Sequence, residues 1–240
     1  NMRVIPALLI KENLAYKGVK FSNYKYLGDP INIIRIFNDK QVDEMTLLDI
    51  GNNSIINYEL IKKISNEAFF PISYGGGIDS LNKIEKVLYS GYERVIVNSH
   101  QYVDDSFLQN AIREFGSSTI IAAVDVKKSL FGKYRIYTNS GTNKINKNLD
   151  LLLDELDQKG VSEVIINSID NDGTKKGYDY ELIKLVENKL VNTNFMISGG
   201  SRGIADFEIC KKGGIVSACI AGSCFVFQGK HNSVLINYSI

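Results

Sequence analysis

Two carboxylates that face each other at the ends of strands can divide the work of giving and taking a proton. Asp125 stands at the C-terminal end of a strand-like run, AAVDVK, and a similar run near the amino terminus, PALLIK, carries Leu9 at the corresponding place. One arm of such a pair is present and the other is apolar. His100 and His231 are the only histidines, which leaves little room for histidine acid–base chemistry and turns the expectation towards carboxylates, lysines or backbone donors. Glu12, in the KENLAYK segment, is a further carboxylate close to Leu9 in sequence.

Glycine clusters directly after strands suggest anion binding, because a bare backbone can approach a ligand and a following helix start turns N–H groups towards it. Gly76 and Gly77 with Asn98 and Ser99 make one set; Gly199 and Gly200 with Gly222 and Ser223 make the other. Two such sites would suit a substrate with two phosphates, the alternative being that the glycines only shape tight turns. The densest polar stretch is SIDNDGTKKGYD, with Asp172 and Gly173 at its centre. It lacks the ligand series and closing glutamate of a calcium loop, which favours a substrate-binding loop over a metal site, with a plain Asp-Gly turn as the bland reading.

Something must position these groups. Short β-branched runs near 3–10, 44–50, 72–74, 94–98, 119–126, 163–168, 194–198 and 217–222 read as strands, and segments of three- and four-residue apolar spacing between them read as helices. This rhythm predicts an α/β chain folded as a single (β/α)₈ TIM barrel domain over 1–240. A doubly wound sheet would carry GxGxxG after its first strand, and KENLAYKG does not. The halves echo each other: Gly76 and Gly199, Ser99 and Ser223, and Leu9 and Asp125 repeat at a nearly constant offset. This predicts a half-barrel duplication, with halves of roughly 1–116 and 117–240. Two stretches interrupt the rhythm: a long connection at 11–29, and KYRIYTNSGTNKIN, which reads as a small hairpin or loop.

Composition narrows the function class. Net charge is +1, with 28 basic and 27 acidic residues and no long single-sign run, which argues against a nucleic-acid or membrane-surface protein. The apolar runs are too short for a membrane span, and the strand-like start reads as lacking a signal peptide. Cys210, Cys219 and Cys224 show no CxxC spacing, so no metal site or disulfide framework is expected and a cytoplasmic location is the default.

Taken together, KGVKF, GDP, LLDI, GGGI, FGS, AAVDVK, SIDNDGTKKGYD and SGG resemble the cyclase subunit of imidazole glycerol phosphate synthase, the HisF type, over nearly the whole chain. The resemblance implies a barrel that takes ammonia from a HisH-like glutaminase docked on its N-terminal face. It converts the bisphosphate PRFAR to imidazole glycerol phosphate and AICAR, with no cofactor. Asp125 then matches one catalytic aspartate, and Leu9 replaces the other. Lys17, Asp49, Asp172 and Gly173 match substrate-binding positions; Gly76, Gly77, Asn98, Ser99, Gly199, Gly200, Gly222 and Ser223 match the phosphate sites. Asn167, which stands where the family has threonine, is a further substrate-binding position in this resemblance. Arg3, Glu44, Arg94 and Glu163 match a ring of alternating charges at an ammonia gate, and Glu93 matches a position contacting the glutaminase. Charges at strand starts are otherwise a solvated rim. The loss at Leu9 is also similar to HisF-like proteins that support amidination of a bacterial surface sugar; a non-catalytic phosphosugar-binding barrel is the remaining reading.

Overall fold

The computed structural model of the chain describes residues 3–19, 22–51, 55–172, 174, 176–200, 204–213, 216–221, 227–228 and 233–234. In chain order the elements are β1 (Arg3–Lys11), β2 (Leu14–Val19), β3 (Ser22–Gly28), α1 (Pro30–Asp39), β4 (Met45–Asp49), α2 (Tyr58–Glu67), β5 (Ile72–Gly75), α3 (Leu81–Tyr89) and β6 (Arg94–Val97). They continue with α4 (Phe107–Phe115), β7 (Ile120–Lys128), β8 (Tyr134–Thr138), β9 (Asn143–Lys144), α5 (Leu149–Lys159), β10 (Glu163–Ser168), α6 (Tyr180–Lys189), β11 (Asn194–Ser198), α7 (Ile204–Gly213) and β12 (Ala218–Ala221). β13 (Phe227–Gln228) and β14 (Ser233–Val234) form a separate antiparallel pair.

β1, β4, β5, β6, β7, β10, β11 and β12 are parallel neighbours in that order, and β12 pairs back onto β1 through Arg3↔Ala218 to Pro6↔Ala221. The sheet is therefore a closed eight-stranded barrel, as the strand–helix rhythm predicts. Closure divides the apolar residues into two layers. Ile5, Ile96, Ile121, Ala123, Ile165 and Met196 pack inside the barrel. A larger set, including Leu47, Tyr74, Ile84, Leu153 and Val186, fills the space between strands and helices. Each fully buried Ile or Leu contributes about 1.5–3 kcal/mol of transfer free energy, so both layers are needed to hold the ring of strands shut.

The helices begin where the sequence supplies caps. Asn57, Ser80, Asn148 and Asp179 accept hydrogen bonds from the backbone N–H groups of Leu60, Lys83, Leu151 and Leu182. Each such cap is worth about 1 kcal/mol. Asp179 also accepts the Tyr134 hydroxyl at 2.9 Å, which ties the β8 extension to α6.

Both enlarged connections lie at the C-terminal end of the strands. The stretch at 11–29, read as a loop, contains β2 and β3, which extend β1 as an antiparallel hairpin. The turn is possible because Glu12 and Asn13 take positive φ values of 50° and 68°, the twist that a two-residue hairpin demands. After Asp125 the strand continues to Lys128 and pairs antiparallel with β8, confirming the hairpin reading of that insertion. Among the described residues no helix is long and apolar enough to cross a membrane.

Candidate active site

Strand alternation sets the site. With Ile121 and Ala123 inside the barrel, the next inward residue on β7 is Asp125; with Ile5 and Ala7 inside, the next on β1 is Leu9. β1 and β7 are four strands apart in either direction round the ring, so these two residues occupy opposite sides of one mouth. Asp125 is buried. Asn167 on β10, its register partner, donates Nδ2–H to Oδ1 at 2.7 Å, and Asn98 at the end of β6 donates to Oδ2 at 3.1 Å. Burial pushes the Asp125 carboxyl up to about 6, against the opposing pull of the two amides. A carboxyl poised near neutrality can take a proton and return it. Glu12 lies at the exposed tip of the β1–β2 turn. Leu9 thus puts no carboxylate on β1 opposite Asp125; the next inward position on β1 is Lys11.

Two glycine corners flank the mouth, and each packs on the end of the preceding strand. A Cβ on Gly76, at φ +134°, would lie 2.6 Å from the Asp49 carbonyl oxygen; one on Gly199, at φ +109°, would lie 2.5 Å from that of Ser168. Both positions thus require glycine for packing alone. Gly200, at φ +90°, is crowded in the same way by the Gly177 carbonyl and Asn171. Gly77 has φ +63°, and its carbonyl accepts the Lys83 ammonium at 3.2 Å. Asp49 ends β4; its carboxyl is raised by burial, against a hydrogen bond from the Gly51 N–H. Ser99 starts a short 3₁₀ turn that follows Asn98. Lys17 lies in β2, its backbone paired with Lys25, on the hairpin that rises from β1. Asp172 closes a turn after β10 by donating its N–H to the Ser168 carbonyl at 3.1 Å. Gly173, Gly222 and Ser223 lie outside the described residues.

Other side chains have parts that their sequence context does not announce. Gln101 donates its buried amide to the carbonyls of Ala123 (2.8 Å) and Asn98 (2.9 Å), continuing the β6–β7 seam with a side chain and fixing Asn98 beside Asp125. Asn171 donates to the Gly177 carbonyl and accepts the Ser168 hydroxyl, stapling the polar loop. Burial, with the Asp125 charge adding to it, pushes the Tyr102 phenol well above its ordinary value. Among the described residues, no cluster of His, Cys, Asp and Glu could hold a metal ion.

The opposite end of the barrel carries charges. Arg3, Glu44, Arg94 and Glu163 stand near the starts of β1, β4, β6 and β10, and they close into one network. Arg3 reaches Glu44 at 3.0 Å and Glu163 at 2.6 Å; Arg94 reaches Glu163 at 2.5 Å and Glu44 at 3.6 Å. Ser217 adds a hydroxyl donor to Glu163 at 2.5 Å. Burial acts to raise the Glu163 carboxyl, but hydrogen bonds from Ser217, Arg3 and Arg94 outweigh it and hold the group below its ordinary value. Glu93 is exposed beside this ring. The inner face of β10 runs from Glu163 through Ile165 to Asn167, linking the charged end to the Asp125 mouth by one row of side chains.

A closed (β/α)₈ barrel with a buried carboxylate at its C-terminal mouth and a charged ring at its other end defines the class. Residues 3–232 match the model of the histidine biosynthesis protein family. A Pseudomonas aeruginosa protein provisionally named imidazole glycerol phosphate synthase subunit hisF2 is 41% identical over 239 residues, covering 98% of this chain and 95% of its own. The imidazole glycerol phosphate synthase subunit HisF of Alkaliphilus metalliredigens is 34% identical over 229 residues (94% and 90%), and that of Helicobacter hepaticus 35% over 239 (98% and 94%). The chain belongs to the histidine biosynthesis protein family, as a HisF-like member.

Proposed function

We propose that this chain is the cyclase-type subunit of an ammonia-using pair. Ammonia released by a HisH-like glutaminase enters at the charged ring, crosses the barrel, and reacts at the far mouth with PRFAR to give imidazole glycerol phosphate and AICAR. The observation that carries this reading is one barrel interior with the Arg3–Glu44–Arg94–Glu163 ring at one end and Asp125 at the other. The isoleucine-rich layer between them suits a neutral molecule, since a bare ammonium ion would lose its hydration there. Asp125 takes the proton as the ring closes on nitrogen. The corners at Gly76–Gly77 with Asn98–Ser99 and at Gly199–Gly200 with Gly222–Ser223 take the two phosphates. Lys17, Asp49, Asp172 and Gly173 line the substrate, and Glu93 meets the glutaminase. The work needs no cofactor, and the two half-barrels, roughly 1–116 and 117–240, act as one cytoplasmic domain.

Leu9 limits this chemistry, because general acid–base groups supply about 10²–10⁴-fold in rate. The same residue favours a second reading, in which the barrel passes its ammonia on for amidination of a bacterial surface sugar. Purified protein given PRFAR and an ammonium salt at high pH should form imidazole glycerol phosphate slowly, and Leu9→Asp should raise the rate by about 10²-fold. No turnover above background in either protein would remove the cyclase reading; co-purification with a glutaminase in that case would support the second.

A further inference from the structure

Asn167, a substrate-binding position in the resemblance, directs its amide at Asp125. The carboxylate sits between two donors on the strands that flank β7: Asn98 from β6 and Asn167 from β10. Asn167 is the shorter bond, and it is fixed by backbone register, because Asn167↔Asp125 are direct partners in the β10–β7 ladder. An amide N–H can only donate. A carboxyl oxygen facing it therefore holds its place as an acceptor, and a proton placed on that side would meet another hydrogen. The other groups around Asp125 do not compete for this part. Tyr137 is its register partner from β8, with its ring under the Lys127 ammonium at 5.7 Å. Tyr102 approaches from the 3₁₀ turn, and Leu9 lies across the mouth.

We infer that Asn167 is a positioning residue: together with Asn98 it holds Asp125 as an oriented proton acceptor in a site where Leu9 stands in place of an opposing carboxyl. The inference rests on Asp125 being the reacting group of the proposed function. The arrangement fits this side of the mouth to removing a proton from a nitrogen-bearing substrate. Burial alone would drive this carboxyl towards its neutral form; the two amides restrain it.

The test reads Asp125 directly, in protein carrying ¹³C at its aspartate carboxyls, with the resonance assigned by its disappearance in Asp125→Asn. Asn167→Leu, which removes the donor and keeps similar bulk, should raise the titration midpoint of Asp125 by about one pH unit, the value of a hydrogen bond to a charged group. Asn167→Ser, which restores a short donor, should recover part of that shift. An Asp125 midpoint unchanged in a folded Asn167→Leu protein overturns the inference. If Asn167→Leu does not fold, an unchanged midpoint in Asn167→Ser together with one unchanged in Asn98→Ala overturns it equally. The titration needs no substrate, so failure of the PRFAR reaction leaves it readable, and an unchanged midpoint leaves the proposed reaction to its own assay.

Discussion

Replacing Asp125 by asparagine should make the protein more stable at neutral and higher pH. The folded carboxyl titrates at about 6, against 3.8 for the free group. A pKa raised on folding means that the native state binds the proton more tightly than the unfolded chain. Stability on this account is highest below about 3.8, falls as pH rises through the interval to about 6, and is fully reduced above it. At about 1.4 kcal/mol per pH unit the reduction is about 3 kcal/mol. An asparagine carries no charge and escapes this cost, but its new N–H₂ would face an amide donor, a clash worth about 1–3 kcal/mol if nothing moved. The Asn98 Oδ1 atom offers relief, being buried with no hydrogen-bond partner. Rotation of the Asn98 amide would turn that oxygen onto the new donor, leaving Asn167 to bond the new carbonyl. The net expectation is a gain of about 2 kcal/mol at about pH 8, shrinking towards zero as pH falls to about 4. Urea unfolding of both proteins at matched m-value across that range measures it. A variant less stable than wild type at about pH 8, or a gain that does not shrink with acid, would refute the account of Asp125 as a carboxylate held in its site against the cost of burial.

The remaining expectations concern the ring and the glycine corners. Glu163→Gln leaves Arg94, only 12% exposed, with Glu44 at 3.6 Å as its remaining partner. Because Arg3 is 37% exposed and solvent screens its share, the cost should be about 2–3 kcal/mol in denaturant midpoint, at the low end for a broken buried pair. The Glu163 carboxyl is held below 4.5, so its contribution is present above that value and lost as pH falls through the folded one; the variant should show a shallower acid limb. Gly199→Ala should cost at least about 2 kcal/mol in thermal or urea unfolding, since a Cβ there meets the Ser168 carbonyl at 2.5 Å with φ at +109°. A cost below about 0.5 kcal/mol would mean the corner relaxes freely.

The strand–helix rhythm made the barrel readable without coordinates, because eight period-two runs followed by amphipathic segments leave few other ways to bury both apolar layers. The caps at Asn57, Ser80 and Asp179 are local as well, a single side chain serving the next few N–H groups. Local sequence missed β2 and β3, because a hairpin opened by Glu12 and Asn13 lacks the usual Asn-Gly signal and needs β1 as a template.

For the site, residue types alone named Asp125 as present and Leu9 as the missing acid, and alternation along each strand settled which face they share. What sequence could not state is the direction of a side-chain amide. Asn167 and Asn98 become partners of Asp125 only because closure of the ring brings β6, β7 and β10 into register, although those residues are far apart in the chain. The same closure turns Arg3, Glu44, Arg94 and Glu163 from charges at strand starts into one network. Sequence determined which groups the strands carry inward; tertiary structure decided which of them meet, because hydrogen bonds and ion pairs act over a few ångströms and only the closed barrel sets those distances.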